Sequence, residues 1–276
     1  MANPVLSKPG AFTQSSEYQG GYPGYQYNPY TQQMPGYAHT QQMPGYAPQP
    51  VARGGVMTLD DVIAKTSIVM VLLVASAAAT WLLLPWSLQF PVLIVSALAC
   101  LVTVFFVASR REIPIGGVVF YALLEGVFIG VFSRVFEVFY PGIVGQAVMA
   151  TFVAAGVTLL AYKFFNIRVT SKFRKIVSIG VGALLVLMLV NFGFALFNVD
   201  LGLRSVGSGA GWLSILISVV AVGLAVASLI VDFDSIEQGI AQRVPAKESW
   251  RAAFGITVTM VWLYTELLRI LSYFRD

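Results

Sequence analysis

The chain has 276 residues, of which 57% are hydrophobic and only 11% charged, and its mean hydropathy is +0.77. Soluble domains carry about 25% charged residues, so this composition cannot cover a polar shell; it excludes a soluble globular protein and specifies a multi-span membrane protein. The 17 basic residues exceed the 13 acidic ones and leave a net +4, but most of them sit in short loops between apolar runs, so the membrane explains the excess and nucleic acid is not an expected partner.

Residues 1–56 are rich in Tyr, Gly, Gln and Pro, and "TQQMPGYA" at 31–38 recurs at 40–47. Pro and Gly interrupt regular structure, and the aliphatic surface is too small to offset the entropy of ordering. The expectation is a disordered cytoplasmic tail whose tyrosines offer contact points to partners or to other copies. No cleavable signal pattern precedes the first apolar run, which therefore reads as a retained span.

From residue 57 the chain turns membrane-like, with seven apolar stretches at about 62–84, 88–109, 114–138, 142–162, 176–198, 211–232 and 250–273. Each is near the roughly 20 residues that a helix needs to cross about 30 Å of hydrocarbon. Backbone groups in lipid must be satisfied within the segment, so the spans are helices. The fold class is an all-α integral membrane bundle of seven transmembrane helices, following the N-terminal tail. Lysine and arginine concentrate in the loops on the side of the N-terminus, including Arg110, Arg111, Lys163, Arg168, Lys172, Arg174, Lys175, Arg243 and Lys247. By the positive-inside rule the N-terminus is cytoplasmic and, after seven spans, the C-terminus is outside. Gly126 and Gly130 form a GxxxG in the third span, and Ala150 and Ala154 lie four apart in the fourth; such small-residue faces let helices approach closely.

An ionisable group at membrane depth costs roughly 2.5–3.5 kcal/mol, so each one needs a reason. Glu125 lies near the middle of the third span, Glu266 well inside the last, and Asp232 at the inner end of the sixth. All three are candidates for ion or proton handling. Asp234 and Glu237 read as solvated residues of the loop that follows. Arg110 and Arg111 read as topological anchors and possible salt-bridge partners, Arg134 pairs with Glu137 three residues on, and Arg269 pairs with Glu266 in the same way. The single cysteine, Cys100, excludes an internal disulfide and reads as a small apolar filler. The only histidine, His39, lies in the tail, "HExxH" is absent, and no acid sits in a Gly-x-Gly-Asp motif, so an enzyme is not expected. No lysine stands in the last span for a retinal Schiff base.

Seven spans, an aspartate closing the sixth in "LIVDFDSIEQ", and a last span reading "LYTELLRILSYF" together resemble the Bax inhibitor-1 family (transmembrane Bax inhibitor motif), including its bacterial YccA-type members. "ALLEGVFIG" is similar to the third-span glutamate of some members. The resemblance covers about 57–276 and leaves the tail outside. By this pattern Asp232 matches the family's span-six aspartate, and Glu266 falls where the family has its span-seven aspartate.

The resemblance implies a bundle with the last helix at its centre. It also implies a carboxylate pair that acts as a pH-sensitive latch on a calcium-conducting path in the cytoplasmic membrane. Two carboxylates in a poorly hydrated site share a proton and titrate together; full deprotonation separates them or recruits Ca²⁺, which favours carboxylate oxygens. Ca²⁺ and H⁺ are then permeant or regulating ions, held transiently at Asp232 and Glu266, with no resident metal or cofactor. A straight last helix starting near Pro245 puts Glu266 ~15 Å deeper than Asp232. Either tilt brings these two together or Glu266 pairs with Glu125. Two other functions stay open: a regulator that binds a membrane protease or another membrane protein through its tail, and a proton-coupled cation exchanger. The spacing does not fix the oligomeric state. If Asp232 and Glu266 form the gate, neutralising either alters flux, while Asp234→Asn changes little.

Overall fold

Each apolar run continues as a helix because nothing within it interrupts the backbone hydrogen bonds, and the breaks fall where Pro, Gly and capping side chains stand. The computed structural model describes residues 55–165, 167–197, 199 and 201–275. The expected disordered tail falls almost wholly on residues 1–54, outside the described residues. Seven helices among the described residues are long and apolar enough to cross a membrane. They are α1 (Leu59–Leu83), α2 (Gln89–Ala108), α3 (Ile115–Phe139), α4 (Ile143–Phe164), α5 (Ser171–Leu196), α6 (Trp212–Ala241) and α7 (Ser249–Ser272).

Local chemistry sets the starts. The Thr58 hydroxyl accepts from the Asp61 amide at 3.2 Å, and Asp60 and Asp61 place negative charge in the first turn of α1. Thr170 does the same for Phe173 at 3.2 Å, which is why α5 begins at Ser171, earlier than the apolar run suggests. At the start of α4 the Glu137 carboxylate accepts from the amides of Gly142 at 2.6 Å and Val144 at 3.1 Å. Glu137 therefore does not pair with Arg134; it caps the next helix. Arg134 instead donates to the Leu84 carbonyl at 2.7 Å and lies over the Trp86 ring.

The largest difference from the sequence reading is the end of α6. The helix does not stop at 232 but runs on to Ala241. "DFDSIEQGIAQ" looks like loop by polarity, yet it holds no proline and only one glycine. The chain leaves the helix at Arg243, in the left-handed region at φ 53, just before Pro245. Asp232, Asp234 and Glu237 are consequently helical residues.

The helices alternate in direction, so that the starts of α1, α3, α5 and α7 share one end of the bundle with the ends of α2, α4 and α6. Specific contacts fix this proximal end. Met57 N donates to the Val244 carbonyl at 2.8 Å and Ala246 N to the Gly55 carbonyl at 3.1 Å, a short backbone pairing that ties residues 55–57 to the α6–α7 turn. Gly55 and Val56, read as the last of the free tail, are thus held. Lys65 Nζ reaches the Ala246 carbonyl at 2.8 Å, and Arg251 reaches the carbonyls of Arg110 at 3.2 Å and Arg111 at 2.7 Å.

The last helix is central, as the resemblance implied: α7 packs against α1, α3, α4 and α6, and half of its membrane-length window is buried. At the other extreme α5 packs mainly on α6, and none of its window is buried. The main core joins Val69, Leu73, Val118, Tyr121, Phe254 and Leu268, from α1, α3 and α7. The glycine face of α3 does what the spacing predicted. A Cβ on Gly126 would meet the Leu73 carbonyl oxygen and lie 2.6 Å from Ser76 Cβ; one on Gly130 would lie 2.5 Å from the Ala77 carbonyl oxygen. The close approach lets Ser76 Oγ donate to the Leu123 carbonyl at 2.6 Å.

Candidate functional site

The three membrane-depth acids occupy three levels of the bundle, each in different surroundings. Asp232 on α6 lies roughly 13 Å along the helix from Ala241, at ~1.5 Å per residue. Its Oδ2 accepts from the Thr259 hydroxyl of α7 at 2.7 Å, and Gly255 of α7 leaves room beside Oδ1. The carboxylate faces a cavity of about 490 Å³ at the proximal end, lined also by Ser235, Glu248, Arg251 and Phe254. Glu248 in that cavity is neutralised by Arg251, with Nε 2.7 Å from Oε2. Asp232 forms no ion pair among the described residues.

Glu125, in the middle of α3, is 7% exposed and lies beside the side chains of Cys100 on α2 and Tyr121 on α3. Cys100, read as a small apolar filler, is buried next to that carboxylate. The Tyr121 ring meets Phe254 of α7 edge-on at 5.0 Å, and Phe254 in turn lines the proximal cavity.

Glu266 lies at the distal level. It is fully buried on α7, and both of its oxygens are taken by Arg204 of the α5–α6 connection, at 2.6 and 3.1 Å. Arg269 follows at 3.9 Å and donates to the Arg204 carbonyl at 2.7 Å. The expected Glu266–Arg269 pairing is present only as the longer contact, and the bidentate partner is Arg204. Nothing in the sequence marked Arg204 except a charge in a glycine-rich loop, since the pairing depends on how that loop folds over the end of α7.

This geometry settles the pairing that the spacing left open. Asp232 stands at the level of Thr259, and Glu266 lies roughly 10 Å farther along α7. Asp232 and Glu266 are thus held by different partners, and Glu266 does not pair with Glu125 either. Arg110 and Arg111 form no ion pair among the described residues; the Arg110 guanidinium lies over the Phe106 ring at 4.4 Å. Asp234, expected to be solvated, is 8% exposed, accepts from Arg174 at 2.7 Å and from Gln238 at 2.7 Å, and so ties the start of α5 to α6. Glu237, also read as solvated, accepts from the Tyr162 hydroxyl at 2.6 Å.

Asp234→Asn is consequently not silent. With Arg174 partly exposed, the expected loss is about 1 kcal/mol of stability in detergent, measured by thermal unfolding. An unchanged Tm would show that the pair contributes nothing.

Among the described residues no three His, Cys, Asp or Glu side chains come together to hold a metal. A second cavity, of about 420 Å³, opens between α1 and α4 over the Ser133–Tyr264 hydroxyl pair at 2.6 Å. It contains no charged side chain and offers nothing to an ion.

No curated protein matches the chain. A family model described as Bax inhibitor 1 like matches residues 3–276. The match takes in the tyrosine-rich N-terminal segment that the motif reading had left outside, because composition separates that segment from the spans but cannot say whether the family shares it. With the match running over nearly the whole length, and seven apolar helices arranged around the last one, the chain belongs to the Bax inhibitor 1 like family of multi-pass membrane proteins.

Proposed function

We propose that the protein is a pH-sensitive cation leak channel that passes Ca²⁺ and is gated by protonation of carboxylates inside the membrane. The observation that carries this reading is Asp232. Its carboxylate lies inside a membrane-spanning helix, faces a cavity, is held by one hydroxyl and has no cationic side chain upon it. An unneutralised carboxylate at that depth is costly unless it works on an ion. Asp234, two residues on, is paired with arginine and is structural by comparison.

A cation entering from the proximal cavity meets Asp232 first, and Ca²⁺ and H⁺ compete for the same oxygens. Glu125 stands farther in, and the Arg204–Glu266–Arg269 cluster closes the distal end. Two guanidiniums and one carboxylate leave that cluster with a net positive charge, which repels cations. The conformation is therefore a closed one, and conduction requires the α5–α6 connection to move. The concentration of lysine and arginine at the proximal end supports a cytoplasmic N-terminus and an external C-terminus in the cytoplasmic membrane.

The test is Ca²⁺ entry into proteoliposomes from mildly acidic to mildly alkaline pH. Since a proton on Asp232 removes the charge that attracts the cation, entry is expected to rise with pH. Asp232→Asn should reduce entry severalfold and flatten that rise. Absence of protein-dependent entry at every pH would remove the channel reading. A regulator of a membrane protease would then be sought by co-purification with the full-length chain.

A further inference from the structure

The α4–α5 connection concentrates charge that the rest of the protein does not neutralise. Together with the helix ends that flank it, it carries Lys163, Arg168, Lys172, Arg174 and Lys175. Arg174 is paired with Asp234, and the neighbouring acid, Glu237, is occupied by Tyr162. The remaining four cations are exposed and form no ion pair among the described residues. Four like charges grouped at one edge of a bundle repel one another, so an anionic partner is favoured there.

The surface beneath them is apolar and faces lipid. Lys172 and Lys175 lie on the same face of α5 as Ile176, Ile179, Val186 and Val190, all of which are exposed. The last turns of α4 present Val157, Leu160 and Phe164 in the same way, and Phe164 is 81% exposed. Both helices pack against α6 rather than against each other. On α5 this stripe lies on the side turned away from α6, since the buried Val177 and Leu184 stand on the opposite face, so the basic cluster joins two lipid-facing apolar stripes at the proximal end.

We propose that this basic cluster, with the lipid-facing stripes beside it, is a binding site for an anionic phospholipid. Lys163, Arg168, Lys172 and Lys175 hold the phosphate of the headgroup, and the acyl chains lie along the exposed stripes of α4 and α5. A cluster of Lys and Arg at the cytoplasmic edge of membrane helices is a pattern that selects anionic headgroups, since the charge confers the preference and the lipid-facing apolar stripes accept the chains. A zwitterionic lipid offers the same chains but no net charge. The site is separate from the ion path, and its outcome does not depend on flux.

Native mass spectrometry of the full chain in detergent tests the proposal, with phosphatidylglycerol and phosphatidylcholine of identical acyl chains added separately. The wild type is expected to retain phosphatidylglycerol at a concentration on the order of tenfold lower, or less still. Replacing Lys163, Arg168, Lys172 and Lys175 with Gln should bring retention down to the phosphatidylcholine level. Arg243→Gln with Lys247→Gln, at the same end of the bundle but outside this cluster, should leave it unchanged. Equal retention of the two lipids by the wild type would overturn the proposal without recourse to any variant. Displacement of phosphatidylglycerol by an equal concentration of inorganic phosphate would also overturn it, since the cations would then be a site for a free anion.

Discussion

Glu266→Gln is expected to destabilise the protein by about 3–5 kcal/mol, the range for removing one partner of a buried ion pair. Glu266 is fully buried, and the side chains of Arg204 and Arg269 are only 13% and 11% exposed. Without the carboxylate, two guanidiniums face each other with no counter-charge. The effect should spread beyond the pair, because the α5–α6 connection is fastened to the same end of α7. Arg269 donates to the Arg204 carbonyl, Gly207 N donates to Ser272 Oγ at 3.2 Å, and Tyr273 meets Ser218 at 2.8 Å. Cleavage of residues 201–211 by added protease should therefore rise together with the fall in Tm. Adding Arg204→Leu should return part of the loss, since it removes one of the two unneutralised cations. A Glu266→Gln protein that melts with the wild type would show that the carboxylate is not ionised opposite Arg204.

Gly130→Val is expected to be nearly as damaging, and Gly126→Val at least as much. Overpacking a close-packed interior costs about 1–3 kcal/mol per site when side chains can move aside. Here the added atoms meet the main chain of α1: the Leu73 carbonyl at Gly126, and the Ala77 carbonyl and Cα at 2.5 and 3.1 Å at Gly130. A backbone cannot rotate away as a side chain can, so the helices must separate. Separation also breaks the Ser76–Leu123 hydrogen bond that depends on their approach. Alanine at either position should show a smaller loss of the same sign. The measurement is the yield of monodisperse protein together with Tm in detergent. Gly182, where a Cβ meets nothing within 4 Å, serves as the control and should tolerate alanine. A Gly126→Val protein as stable as the wild type would mean that α1 and α3 do not pack as closely as the structure has them.

The two predictions rest on features that were unequally legible. The glycine face could be read directly, because a four-residue spacing of small residues in an apolar run has one physical use, close approach, and the helix period places both glycines on one side. The Glu266 cluster could be read only in part. The cost of an ion at membrane depth singled out the acid, but the nearest arginine in sequence was not its principal partner. A residue three positions away on the same helix shares the face, yet its side chain need not reach as well as one arriving from a loop across the gap.

Composition and periodicity by themselves determined the class, the seven spans, the burial of Glu125 and Glu266, and the small-residue face. Each of these follows from a local rule: apolar length against bilayer thickness, the helix period, the cost of burying charge. Tertiary structure alone decided which acids keep a counter-charge. Asp234 and Glu266 are paired by Arg174 and Arg204, which are 60 and 62 residues away along the chain, whereas Asp232 meets only the hydroxyl of Thr259. It also decided that α6 runs on past Asp232, which moved Asp234 and Glu237 from an expected loop onto a helix. The physical reason is the same in both cases. A charge in a membrane protein is defined by what reaches it, and what reaches it is set by packing between segments that the sequence keeps far apart.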